Sequence, residues 1–310
     1  MLCCIKVTRM VRRILLGVFG ALALLLGACA DPVKDEVAAL SVWAESDPVM
    51  RELTFTRVVA GGFESSVVSV GGELNVDSVP AYIDALVALR GKEKEATKGA
   101  ITEFTSHVSA DIGGTTFSWE GPFPEEAFGA ESAEMLAPFA APAVEKVEVT
   151  ASGSDGGFAG RVYREASISD GEARDFRDAA YEQLGADGRS FTLSGFPPVG
   201  RLLLDSESAT HAELLAHIDR VAAASRMRLD AVDNHGRNSV WDFYTEEPFD
   251  DAGVRAVVEL LASPVDGKTA TLIIRGPDGK LGTAYAGRPR DTQPAGNEPW
   301  SAQLQAIAAS

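Results

Sequence analysis

The chain has 310 residues, with 28 Lys and Arg against 45 Asp and Glu and a formal charge of −17. A surface this acidic repels phosphate backbones and anionic headgroups, which excludes nucleic-acid binding and docking onto anionic lipid through the protein surface alone. Its three cysteines stand at 3, 4 and 29. Everything after position 29 therefore lacks intrachain disulfides, thiolate metal sites and cysteine nucleophiles, and must be held together by its core.

Residues 1–28 fall into three parts. Lys6, Arg9, Arg12 and Arg13 make a basic start without acids, and Ile14 to Leu26 is an unbroken run of apolar residues and glycines. That run has the length of a secretory core and is short for a membrane-spanning helix. It ends in Leu26-Gly27-Ala28-Cys29. The segment resembles the lipobox of bacterial prolipoproteins. The resemblance implies transfer of a diacylglyceryl group, with palmitate-type chains, to the Cys29 sulfur and then cleavage between Ala28 and Cys29. Two acyl chains suffice for stable anchoring, at roughly 0.8 kcal/mol per buried methylene. Met10 is the more ordinary start, and Cys3 and Cys4 are lost with the signal in either case. With the four basic residues of the signal removed, 24 basic residues face 45 acidic ones, a charge of −21.

After Cys29 a helix starts at Asp31-Pro32, where proline loses only an N–H that the first turn leaves free. Its stripe is Val33, Val37, Leu40 and Ala44, and Asp47-Pro48 closes it. Leu53–Val59 and Ser65–Val70 read as strands about Gly61-Gly62. The order then recurs. A second helix carries Val79, Tyr82, Ile83, Leu86 and Val87 at helical spacing, before strands Ala100–His107 and Thr115–Trp119. A third begins near Glu125-Glu126 with Phe128, Met135, Leu136 and Phe139, before Val144–Thr150 and Phe158–Tyr163. The fourth starts near Asp170 with Ala173, Phe176, Ala180 and Leu184, before Phe191–Leu193 and Gly200–Leu204. The fifth starts at Ser208 with Leu214, Leu215, Ile218, Val221 and Ala222, before Leu229–Val232 and Val240–Tyr244. The sixth starts at Asp250 with Val254, Val257, Val258 and Leu261, before Thr269–Ile274 and Leu281–Ala286.

Each unit alone exposes one helix stripe and one sheet face, and stacking the units buries both. The predicted fold class is α+β: repeated helix-strand-strand units forming antiparallel sheets, with helices packed on one face. Pro122-Phe123 and Pro138 bracket the third helix as Pro248-Phe249 and Pro264 bracket the sixth, which points to an internal duplication. The expected divisions are a signal at 1–28, a first half at 29–166, a second half at 167–287 and a flexible tail at 288–310. Within the tail, Ala302–Ala308 has the makings of a short helix. The element order is similar to that of the BON domains of envelope proteins, but no diagnostic residues accompany it.

Candidate chemistry is sparse. His211 and His217 share a helix but lie about 120° short of two full turns apart, so they face different directions. His107 falls on a strand and His235 in a turn, and no metal-binding His spacing occurs. The Gly-x-Ser-x-Gly nucleophile elbow and a phosphate-cradling loop before a helix are missing as well. Glu125-Glu126 and Asp250-Asp251 occupy matching helix starts, where capping accounts for them. Trp119, Trp241, Phe117 and Phe243 occupy corresponding strands, either as repeated core or as an aromatic surface for a ligand or partner.

These observations predict no catalytic residue, metal or cofactor, and one modification site, Cys29. The expected role is a lipid-anchored, extracytoplasmic protein that binds or scaffolds an envelope protein or ligand without catalysis. Two alternatives stay open. One is an envelope hydrolase whose carboxylates, with Glu125, Glu126, Asp250 and Asp251 as first suspects, converge only in three dimensions. The other is a cation-binding lipoprotein.

Overall fold

Six hairpins, each preceded by a helix, lie side by side in chain order in a single sheet of twelve strands. A computed structural model of the chain describes residues 31–60, 63–152, 157–184, 191–204, 211–234, 238–248, 250–263, 269–286 and 296–309. The signal segment, Cys29, His235, Phe249 and Pro264 lie outside the described residues.

The elements are α1 (Pro32–Ser46), β1 (Thr54–Ala60), β2 (Phe63–Glu73), α2 (Val79–Ala96), β3 (Glu103–Ile112) and β4 (Thr115–Glu120). They continue with α3 (Glu126–Leu136), a 3₁₀ turn (Ala137–Phe139), β5 (Val144–Ala151), β6 (Phe158–Arg164), α4 (Asp170–Leu184), β7 (Phe191–Ser194) and β8 (Arg201–Leu204). The last are α5 (His211–Ala224), β9 (Arg228–Asn234), β10 (Asn238–Tyr244), α6 (Asp251–Leu261), β11 (Thr269–Gly276), β12 (Gly279–Ala286) and α7 (Ser301–Ala308). Asp31 caps α1 as its position predicts, accepting from the amides of Val33 and Lys34 at 3.2 and 3.3 Å.

The six hairpins are antiparallel, as the turn signals require. Between units, however, the pairing is parallel, from β2–β3 through β10–β11. This corrects the expectation of purely antiparallel sheets, and the cause is the helix. Each strand that ends a unit hands the chain to a crossover helix, which returns it to the start of the next strand, and such a return pairs in parallel. Crossovers of one hand that advance in one direction across a sheet leave every helix on the same face.

The register shows that face directly. One cross-strand row runs Ala110, Phe117, Val147, Val162, Leu193, Leu202, Val232, Trp241, Leu272 and Ala284, from β3 to β12. None of these side chains is more than 2% exposed. Two buried tyrosines tie helices down to the sheet: Tyr82 of α2 donates to the carbonyl of Val108, and Tyr181 of α4 to that of Leu202.

The two halves meet at β6 and β7 and share one core. Gly160 makes that junction possible, because a methyl there would fall 2.1 Å from a ring carbon of Phe191 on the paired strand. An aromatic chain crosses the same junction. Trp119 packs on Phe158, Phe158 edge-on against Phe191, Phe191 against Phe139, and Phe139 against Phe176, which stacks on Phe196 at 5.3 Å.

The last helix revises the expected tail. Residues 301–308 form α7, with Leu304 and Ile307 buried, and Leu304 occupies the space that a side chain at Gly282 would need. α7 also closes the outer edge of β12. Ser301 Oγ accepts from the amide of Thr283 at 3.0 Å, Gln305 Oε1 accepts from that of Tyr285 at 3.3 Å, and the Trp300 amide donates to Leu281 at 2.8 Å. Unpaired edge amides invite pairing with another chain, and these contacts remove part of that edge.

Candidate functional site

If the buried row fixes which face of the sheet the helices cover, the alternate residues of the same strands define the other face. Across it runs Glu73, Ser109, Ser118, Glu148, Arg161, Thr192, Leu203, Asp233, Val240, Thr271 and Tyr285, in register from β2 to β12. A neighbouring row holds Lys146, Tyr163, Ser194, Arg201, Asp242 and Ile273. Three of the five tyrosines, Tyr163, Tyr244 and Tyr285, lie on this face and are half-buried. The open face is thus a broad surface of hydroxyls, amphipathic rings and scattered aliphatic side chains.

Its charges from β5 to β11 are largely matched in place. Lys146 reaches Glu148 at 2.7 Å, the Tyr163 hydroxyl donates to the other oxygen of Glu148 at 2.7 Å, and Arg161 donates to that hydroxyl at 3.3 Å. The bond from Lys146, then that from Tyr163, holds the Glu148 carboxyl below its ordinary range, and Glu148 in turn raises the Lys146 ammonium. Arg275 bonds Asp242 at 2.7 and 3.0 Å. Arg228 bonds Asp230 at 2.6 Å and lies over the Tyr244 ring at 4.7 Å. Toward β2–β4 the face is acidic, with Glu73, Glu103, Asp111 and Glu120 beside the exposed His107.

The four aromatic residues singled out from sequence lie elsewhere. Phe117, Trp119, Trp241 and Phe243 are 0 to 2% exposed and belong to the core beneath the helices, so they form no ligand surface. Their expected equivalence is also revised. Because β4 and β10 run in opposite directions, Phe117 shares a row with Trp241, while Trp119 and Phe243 fall on either side of it. Each indole N–H finds an internal acceptor, Pro122 O for Trp119 and Ser239 Oγ for Trp241, both at 3.0 Å.

The four acids at helix starts are not brought together. α3 and α6 are separated by α4 and α5, which at 8–10 Å per helix pair sets their axes roughly 25 Å or more apart, and because β4 and β10 run in opposite directions the two helix starts also lie at opposite ends of the sheet. Nor do Glu125 and Asp250 cap their helices through their side chains. Glu125 is drawn to Lys94 at 3.0 Å and Arg90 at 3.3 Å on α2, which lowers its carboxyl, and Asp250 lies 3.6 Å from Arg226. Asp251 pairs with Arg255 one turn on. Competing cations on neighbouring elements, invisible to a local capping argument, turn these side chains away.

His217 is buried with its ring edge-on to Trp241 at 5.7 Å, His107 is exposed on the open face, and the side chain of His211 lies outside the described residues. Among the described residues, no group of three or more His, Cys, Asp or Glu is gathered as a metal site, and no helix is long and apolar enough to cross a membrane. On the helical side there are shallow clefts. One of about 450 Å³ is lined by Arg226, Met227, Thr245, Glu247, Asp250 and Trp300. Another of about 460 Å³ lies between α5 and α6 beside His217 and Arg220. The open-face residues carry no apolar pattern of their own, and the apolar alternation of each strand marks only the core face. The signal was present as the polar partners in each period-2 alternation.

The chain matches no known protein family, no curated protein and no solved structure.

Proposed function

We propose that this chain is a lipid-anchored protein of the extracytoplasmic face of the bacterial cell membrane, held through Cys29, with a non-catalytic binding or scaffolding role. The observation that supports a binding role is the uncovered face of the sheet. Its polar and hydroxyl-bearing residues form rows in register across the strands, with Thr192, Thr271 and Tyr285 in one row and Tyr163 and Tyr244 beside it, and most charges at the β5–β11 end are satisfied by immediate neighbours. A partner settling there meets amphipathic rings and hydroxyls, and the matched ion pairs limit the desolvation cost that isolated charges would impose.

Site-specific photo-crosslinking in intact cells tests this. A crosslinker at Thr192 or Thr271, both on the open face, should give discrete adducts to one species. The same group at Glu134 or Ala216, exposed on α3 and α5, should not. Adducts of equal yield from both sides, or only from the helical side, would overturn the assignment of this face.

A further inference from the structure

The lipid reading, combined with the fold, says how the body meets the bilayer. Asp31, the first described residue, caps α1 and pairs with Arg57 in the first strand of the sheet. Cys29 precedes Asp31 by two residues, and two residues reach at most about 7 Å. The acylated sulfur is therefore confined to the neighbourhood of β1, at one extreme edge of the sheet. The opposite edge, β12, is eleven strand spacings away in sheet order, about 50 Å at 4.8 Å per spacing before twist. That far edge is the one closed by α7.

The slab can pivot on so short a tether and lie flat, but a flat pose sets the acids of several helices against the headgroups at once, whereas the edge sets only those around α1 and β1 there, Asp35, Glu36 and Glu45 among them, against Lys34 and Arg57. α3 carries Glu126, Glu131 and Glu134 with no Lys or Arg, and α4 carries five acids against Arg174 and Arg177. Arg177 is moreover buried and committed to neighbouring carboxylates. Carboxylates brought against anionic lipid repel it over a Debye length, about 8–10 Å. Lying on the other side would cover the face assigned above to the partner.

We propose that the protein stands edge-on to the membrane. The β1 edge meets the headgroups, the strands succeed one another away from the bilayer, and the open face looks sideways across the membrane surface. This orientation rests on the lipid anchoring proposed above.

Single cysteines introduced at Thr56, Thr116 and Asp278, on β1, on β4 and in the β11–β12 turn, give unique labelling sites, because the only native cysteine after the signal is the acylated one. The full lipidated protein is reconstituted into vesicles of phosphatidylcholine and phosphatidylglycerol carrying a headgroup acceptor dye, and energy transfer is measured from each position. Transfer should fall in the order 56, 116, 278, with the last about half the first or less, given the strand spacing. Equal transfer from all three, or the strongest from 278, in protein that floats with the vesicles overturns the orientation alone. Protein that does not float with them overturns the anchoring reading, and this proposal with it.

Discussion

Arg177 of α4 places both terminal nitrogens on the carboxylate of Asp219 in α5, at 3.1 and 3.3 Å, although the arginine is shut off from solvent. The same guanidinium bonds Asp178 and the carbonyl of Pro197 at 2.9 Å, so one side chain ties two helices to the β7–β8 connection. Burial works against its charge, but the bonds to Asp219 and Asp178 outweigh it and raise its pKa further above the ordinary arginine value. Removing one partner of such a buried group leaves the others unpaired. Arg177→Ala empties a buried site and takes the donor from the Pro197 carbonyl, which should cost about 3 kcal/mol or more, and Asp219→Asn should cost less, because Asp178 and the Pro197 carbonyl still hold the guanidinium. Urea-unfolding midpoints check the order of the two.

The tryptophans that looked like surface candidates should behave as core. Trp119→Ala and Trp241→Ala should each destabilise the fold by about 3–5 kcal/mol, as large-to-small changes in a packed interior do. Thermal unfolding of the two variants provides the comparison. A variant that unfolds like the parent would place its indole outside the core.

Much of the architecture was legible because it is locally encoded. Helix starts read at Asp31-Pro32, near Glu125-Glu126, near Asp170 and at Asp250 correspond to observed starts at 32, 126, 170 and 251, since prolines and apolar spacing act within a few residues, while the fifth start at Ser208 lies outside the described residues. The misreadings trace to partners far along the chain. The third strand was expected at Ala100–His107 but runs Glu103–Ile112, because Glu36 of α1 accepts the amides of Ala100 and Ile101 at 3.1–3.2 Å and holds them out of the sheet. The expected stripe of α4 holds at Ala173 and Ala180, with Phe176 packed on the core from its rim, but it also takes in Arg177 and Tyr181, which are fully buried. Arg177 is buried against partners that local spacing does not show, the Pro197 carbonyl 20 residues on and Asp219 42 residues on, together with its neighbour Asp178. The short helix open at Ala302–Ala308 forms as α7, and it is anchored through Leu304, Ile307 and Ala308, with Trp300 just before it, on a sheet edge that its own composition does not announce.

The attachment of α7 should depend on acid. The Glu298 carboxyl is held down to about 2, first by the hydrogen bond from Ser301 and then by that from Lys280. A carboxyl lowered on folding contributes stability that is fully present above its unfolded value near 4.5 and is lost as pH falls through its folded value near 2. The parent should therefore exceed Glu298→Gln in stability at neutral pH, and the gap should close between those two values. A gap that stays constant down to the lower value would mean that the carboxylate contributes nothing.

The cover that α7 gives to β12 should also control self-association. Ser301→Ala combined with Gln305→Ala leaves the amides of Thr283 and Tyr285 without their acceptors, each bond being worth about 1 kcal/mol. It also reopens part of a strand edge to pairing. Light scattering should show concentration-dependent oligomers for this variant and none for Gln303→Ala, whose side chain is exposed.

A diacylglyceryl thioether at Cys29 is proposed to hold this acidic body to the membrane. Fractionation of cells producing Cys29→Ser tests it most directly, with the variant and the parent compared at equal expression. The parent should sediment with the membranes while the variant leaves them. A variant that remains as fully membrane-bound as the parent would contradict it.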